Sequence, residues 1–253
     1  MLRLRHITFA CADARLVAEF WAAMLGYEAA ASGESWAASD PRGEGPELFF
    51  NWMEKSPTIE LPIHLDVNVP DRADEVERVL GLGGRIVETK TVEAGELKET
   101  FTVMRDPEGN GFCIQGPDTR KPYPYVRNVT FACAEPRREL GPWWTSALGW
   151  REEEIEQDFL QMLRDGGIDV DREFYAYYAA VDPRRSGPRF LFQRREKSRP
   201  QSYPIHLDFA ADDREAEIER LAATGATVVE TKTRGGQTWT VMRDPDGNPF
   251  CIE

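Results

Sequence analysis

The sequence predicts an α+β fold written twice along one chain, with each half folding its sheet around a cavity. Three observations carry that reading. Long ordered stretches recur, the recurring segments alternate apolar and polar residues as strands do, and the residues between them have helical spacing or turn chemistry. The segment RHITFACADARLVAEFWAAMLGY from Arg5 returns as RNVTFACAEPRRELGPWWTSALGW from Arg127. PIHLD ends at Asp66 and again at Asp208, IVETKT at Thr91 returns as VVETKT at Thr233, and TVMRDPEGNGFCIQ at Gln115 returns as TVMRDPDGNPFCIE at Glu253. The order is the same in both halves, so the pattern is a tandem duplication. Its boundary falls in the Pro- and charge-rich GPDTRKPYPY, which predicts domains over 1–120 and 121–253.

Each half opens with a strand. In HITFACA, His6, Thr8 and Ala10 fall on one face and Ile7, Phe9 and Cys11 on the other. A helix follows: Asp13 is suited to cap it, Leu16, Val17, Phe20, Trp21, Met24 and Leu25 form one stripe, and Gly26 stops it. ELFFNW and IHLDVNV read as strands. Asp71 opens a second helix whose Val76, Val79 and Leu80 match Ile218, Leu221 and Ala222. The half closes on a hairpin around DPEGN or DPDGN, with Pro preset for the second turn position and Gly for the positive φ that follows. The second half carries an extra helical insertion at about 151–186, where Ile155, Phe159, Met162 and Leu163 share a helical face. That face packs on its own domain or forms a lid over a ligand pocket.

Composition narrows the partners. A formal net charge of -13 repels a phosphate backbone, so nucleic acid is not expected, and an acidic field suits a cationic ligand or simple solubility. No apolar run approaches membrane-spanning length and the N-terminus shows no secretory apolar region, so a cytoplasmic protein without membrane contact is expected, as monomer or homodimer. The 4 cysteines sit at matching places in the two halves, without a disulfide or zinc-ribbon spacing, and read as reduced thiols.

The ordered set HITFACAD, FWAAMLGY, ELFFNW, PIHLDV, VETKT and DPEGNGFCI resembles the vicinal-oxygen-chelate superfamily, which includes glyoxalase I, bleomycin-resistance proteins and extradiol dioxygenases. The likeness is greatest to its glyoxalase-like domain branch. It implies two tandem domains of paired βαβββ modules, each with a curled sheet around a metal or ligand site. Metal-dependent members of this superfamily bring one ligand each from the first, fourth, fifth and eighth strands. Carried onto the first half, those positions are His6, Glu47, His64 and Cys113, a set suited to one divalent zinc, iron or nickel ion. The second half offers Asn128, Arg189, His206 and Cys251, and an arginine cannot act as a ligand, so any metal is expected in domain 1 alone.

Two of the 3 histidines occur in the repeated PIHLD, where alternation sets His64 beside Asp66 and His206 beside Asp208 on one face. A carboxylate at that spacing fixes an imidazole tautomer and raises its basicity, making His64 and Asp66 candidate catalytic residues; the alternative is a hydrogen-bonded scaffold. Thr8, Phe49, Asn51, Gln115, Arg189, Gln193, His206, Asp208 and Glu253 are the expected ligand-binding residues. The resemblance implies a metal-assisted isomerase or lyase acting on a carbonyl or vicinal-oxygen compound. The alternative is a non-catalytic protein that sequesters a cationic or aromatic small molecule.

Overall fold

The computed structural model describes residues 2–53, 63–94, 97–184, 187–195 and 204–253. Four modules of strand, helix and strands follow one another. The first comprises β1 (Arg3–Cys11), α1 (Ala14–Leu25), β2 (Glu28–Ser32), β3 (Ser35–Ser39) and β4 (Glu47–Trp52). Next come β5 (Ile63–Asn68), α2 (Arg72–Gly81), β6 (Arg85–Ala94), β7 (Leu97–Arg105) and β8 (Gly111–Gln115). The third holds β9 (Tyr125–Cys133), a π-helical turn (Pro136–Leu140), α3 (Gly141–Leu148), β10 (Arg151–Glu152), α4 (Gln157–Asp165), α5 (Val170–Ala176), β11 (Tyr177–Val181) and β12 (Arg189–Arg194). The last is β13 (Ile205–Ala210), α6 (Arg214–Ala222), β14 (Thr227–Arg234), β15 (Gln237–Arg243) and β16 (Pro249–Ile252). The helix signals act as expected. Asp13, Asp71 and Asp213 each accept a backbone N–H of the first turn, and Gly26 ends α1 at φ 67°.

Two open eight-stranded sheets result, and each draws on both halves of the chain. The first runs β14-β15-β16-β13-β1-β4-β3-β2 and the second β10-β11-β12-β9-β5-β8-β7-β6. Their central joints are antiparallel pairs between copies, β1 with β13 and β5 with β9. The first and last modules therefore share one sheet, and the second and third share the other.

Within each copy the two sheets are tied through a helix. Fully buried Trp21 of α1 packs on Phe9 of the first sheet and Phe112 of the second, and its Nε1 donates to Asp106 Oδ2 at 3.2 Å. Trp144 of α3 repeats this arrangement, packing on Phe131 and Phe209 and donating to Asp244 Oδ2 at 3.0 Å. Each aspartate begins its DPxGN turn and accepts the Asn backbone N–H and side-chain amide, while Gly109 and Gly247 supply φ of 95° and 88°. Burying aromatic rings of this size contributes about 2–3 kcal/mol each, so the tryptophans join two sheets that share one core.

The linker is fastened to the first copy. Asp118 Oδ2 accepts from Asn68 Nδ2 (2.7 Å) and the Tyr125 hydroxyl (2.6 Å), and Glu44 accepts from Lys121 and Tyr123. In the insertion, α5 packs on β11 and on the π-helical turn, with Arg137 stacked on Phe174 at 3.4 Å. No α4 residue is fully buried: of the apolar face expected there, Ile155 and Phe159 are exposed while Met162 and Leu163 are half-buried. All four cysteines are buried and none forms a disulfide. Among the described residues no helix is long and apolar enough to cross a membrane.

Burial pushes the Asp244 carboxyl up to about 6, despite the hydrogen bonds it accepts. A carboxyl raised in the folded state holds its proton more tightly there than in the unfolded chain. Its contribution is therefore present below about pH 4 and is lost as pH rises through about 6. Urea unfolding between pH 4 and 7 should show Asp244→Asn gaining on the wild type by roughly 2 kcal/mol, whatever its constant loss from replacing an acceptor oxygen. Parallel stability curves would contradict this.

Candidate functional site

Strand register places the polar residues in rows. On the first sheet, Cys251, Asp208, His6 and Glu47 stand side by side on β16, β13, β1 and β4. The next row is His206, Thr8 and Phe49. Period-two alternation sends the intervening Ile7, Phe9, Leu207, Phe209, Leu48 and Phe50 into the core, leaving the rows on the opposite, cavity-forming face. A bulge at Arg5 shifts the β1 register beside His6 and sets the Arg5 guanidinium against Glu253.

Asp208 is the hub of this first cavity. Thr8 Oγ1 donates to its Oδ2 at 2.6 Å, and His206 Nε2 lies 3.2 Å from Oδ1 without hydrogen-bond alignment, leaving that buried oxygen without a donor. Ligand atoms of His6, Asp208 and Glu253 lie within 4.8 Å of one another, as do those of His206, Asp208 and Cys251. His6 Nε2 is 3.7 Å from Glu47 Oε2, and its ring stacks on Phe49 at 5.5 Å. Burial works against the Asp208 charge, but His206, Thr8 and His6 outweigh it and hold the carboxyl below its usual range. The Cys251 thiol is pushed far up, first by burial and then by Asp208 and Glu253, so it is protonated at neutral pH. The donors suited to a cation are thus the two imidazoles and the carboxylates. A divalent metal of the kind the resemblance implies fits here, because a buried carboxylate oxygen lacking a donor faces further N and O ligands.

The second sheet carries the matching rows with different chemistry. Cys113, Asp66, Asn128 and Arg189 occupy β8, β5, β9 and β12, and His64, Thr130 and Leu191 lie in the next row. Asp66 Oδ2 accepts from Asn128 Nδ2 and Thr130 Oγ1, both at 2.7 Å, and His64 Nε2 is 3.4 Å from Oδ1. Burial opposes the Asp66 charge too, but His64, Asn128 and Thr130 hold its carboxyl below the usual range. Arg189 Nε donates to Asn128 Oδ1 at 2.5 Å, and its guanidinium pairs with Glu153. Burial and Asp66 push the Cys113 thiol far up. His64, Asp66 and Cys113 also cluster within 4.8 Å, but Asp66 Oδ2 already accepts two hydrogen bonds, the thiol is protonated and a guanidinium ends the row.

The four positions expected to form one metal centre are therefore divided. His6 and Glu47 lie on the first sheet, His64 and Cys113 on the second, because β1 pairs with β13 of the other copy rather than with β5. Thr8, Phe49, Asn51, His206, Asp208 and Glu253 gather on the first sheet. Gln115, Arg189, Gln193, His64 and Asp66 lie on the second. Sequence reasoning missed Glu153 and Arg5. Glu153 was detectable: it stands three residues after Trp150, where the first copy has Ala30 three after Tyr27, so an acid appears in the copy that gains Arg189.

The profile of the glyoxalase-like domain family matches twice, over residues 6–115 and 128–253. No curated protein matches the chain. Among solved structures, glyoxalase I from Zea mays superposes with a TM-score of 0.67 at 14% identity, covering 100% of this chain and 92% of that one. A putative dioxygenase from Bacillus subtilis gives a TM-score of 0.63 at 14% identity, covering 98% and 84%. At such identities these likenesses show a shared fold. The two family matches span most of the sequence, and the chain belongs to the glyoxalase-like domain family, present here as two tandem copies.

Proposed function

We propose that the first cavity is a metal-assisted site for a small organic molecule bearing a carbonyl or vicinal oxygens, with isomerase or lyase chemistry. The observation that supports it is the gathering of His6, Asp208 and Glu253 around a buried carboxylate oxygen that lacks a donor, with Glu47 beside His6. These four residues would hold one divalent zinc, iron or nickel ion. When bound, such an ion supplies Lewis-acid polarisation of substrate oxygen. The remaining work falls to the chain. Phe49 and the stacked His6 ring wall the cavity and orient a flat substrate. His206, beside Asp208 and partly exposed, is placed to hold or pass a proton at Nε2. The repeated histidine keeps its candidate role, but the role moves from His64 to His206, whose row contains the cation ligands. Arg5 restrains the Glu253 carboxylate through an ion pair.

Calorimetric titration of untagged, chelator-treated protein with zinc, nickel and iron(II) should give one equivalent per chain. Glu253→Gln and His6→Ala should each weaken binding at least about tenfold, and Asn128→Ala should leave it unchanged. Absence of binding would favour sequestration of a cationic or aromatic compound, for which the same carboxylates and Phe49 are suited; two equivalents would assign a metal to the second cavity as well. Acetohydroxamate, a probe with vicinal oxygens, should bind the metal-loaded protein and not the apoprotein, with Phe49→Ala weakening it severalfold. Equal binding to both forms would contradict metal-assisted recognition.

A further inference from the structure

The second cavity shares the Thr, Asp, His and Cys framework of the first but replaces its outer acids with a cation and amides. At corresponding places Asn128 replaces His6, Arg189 replaces Glu47 and Gln115 replaces Glu253. Arg189 is held rigidly. Its Nε donates to Asn128, whose amide donates to buried Asp66, and its Nη1 pairs with Glu153. Among the described residues its Nη2 has no acceptor. Arg127, the bulge residue equivalent to Arg5, also reaches Glu153, at 3.3 Å. One carboxylate thus serves two guanidiniums whose side chains are only 23% and 26% exposed.

The Asp66 charge reaches Arg189 only through Asn128, so the guanidinium has one shared carboxylate in direct contact and keeps a donor for a further acceptor. We infer that the second cavity binds a small organic carboxylate, with the Arg189 guanidinium, assisted by Arg127, receiving the anion. The planar guanidinium fork matches a carboxylate better than a tetrahedral dianion. Leu191 lies in the next row beside Thr130, Gln193 follows on β12, and Tyr177 faces Gln193 from β11, offering an apolar wall with amide and phenol groups for the organic body. Burial, then Arg189 and Arg120, depress the Arg127 proton affinity, which an arriving anion would restore. This inference does not depend on a metal in the first cavity.

The test is titration of the full chain with benzoate, in chelator and at low chloride, followed by calorimetry and by NMR. One site per chain with Kd on the order of 1 mM or tighter is expected. Arg189→Gln should abolish binding while retaining the thermal unfolding transition. Glu153→Gln should tighten binding severalfold by removing the competing carboxylate, a result that disruption of the fold cannot produce. Unchanged affinity in Arg189→Gln, no gain in Glu153→Gln, or phosphate binding more tightly than benzoate would each overturn the assignment.

Discussion

The antiparallel joint between β1 and β13, with its counterpart between β5 and β9, determines everything the cavities contain. Each joint brings together strands from different copies, so each row of polar side chains is composed of residues far apart in sequence. His6 opposite Asp208 is one such contact; Asn128 opposite Asp66 is the other. Had β1 paired with β5, His6 would have met Asp66. The chain is held to this pairing from the other side of the sheets, where Trp21 and Trp144 tie each copy's two modules through a buried indole and a turn aspartate. Sheet pairing is thus made between copies, while helix and turn packing is made within them.

The duplicated cavities separate scaffold from chemistry. Both keep a threonine hydroxyl donating to a buried aspartate, a histidine two residues before that aspartate and a protonated thiol beside it. These shared groups shape and stiffen the rows. What distinguishes the sites lies on β1, β4 and at the end of β16 in one, and on the equivalent β9, β12 and β8 in the other. His6, Glu47 and Glu253 make one cavity acidic and rich in ligands, whereas Asn128, Arg189 and Gln115 give the other a guanidinium and amides in their place. Asn128 adapts the second row to arginine: its carbonyl oxygen receives the guanidinium and its amide donates to Asp66, so a single side chain joins the cation to the buried acid.

Local structure was legible because local physics decides it. Asp13 and Asp71 cap helices, Gly26 ends one, the DPxGN turns form, and alternation places His64, Asp66, His206 and Asp208 on the cavity side, all within reach of neighbours in sequence. The composition of each site was not legible. Two similar copies offer β1 two chemically similar partners, β5 and β13, and no local preference distinguishes PIHLD from PIHLD. The insertion misled in another way: the spacing of Ile155 and Phe159 announces an apolar face, yet periodicity does not say whether anything covers it, and here both side chains are exposed.

The most direct test of cross-copy site assembly is anomalous diffraction at the zinc edge from crystals of the zinc-loaded protein. The account predicts a single strong peak per chain, among His6, Asp208 and Glu253, with none beside Arg189. A peak among His64, Asp66 and Cys113, with the first cavity empty, would contradict it.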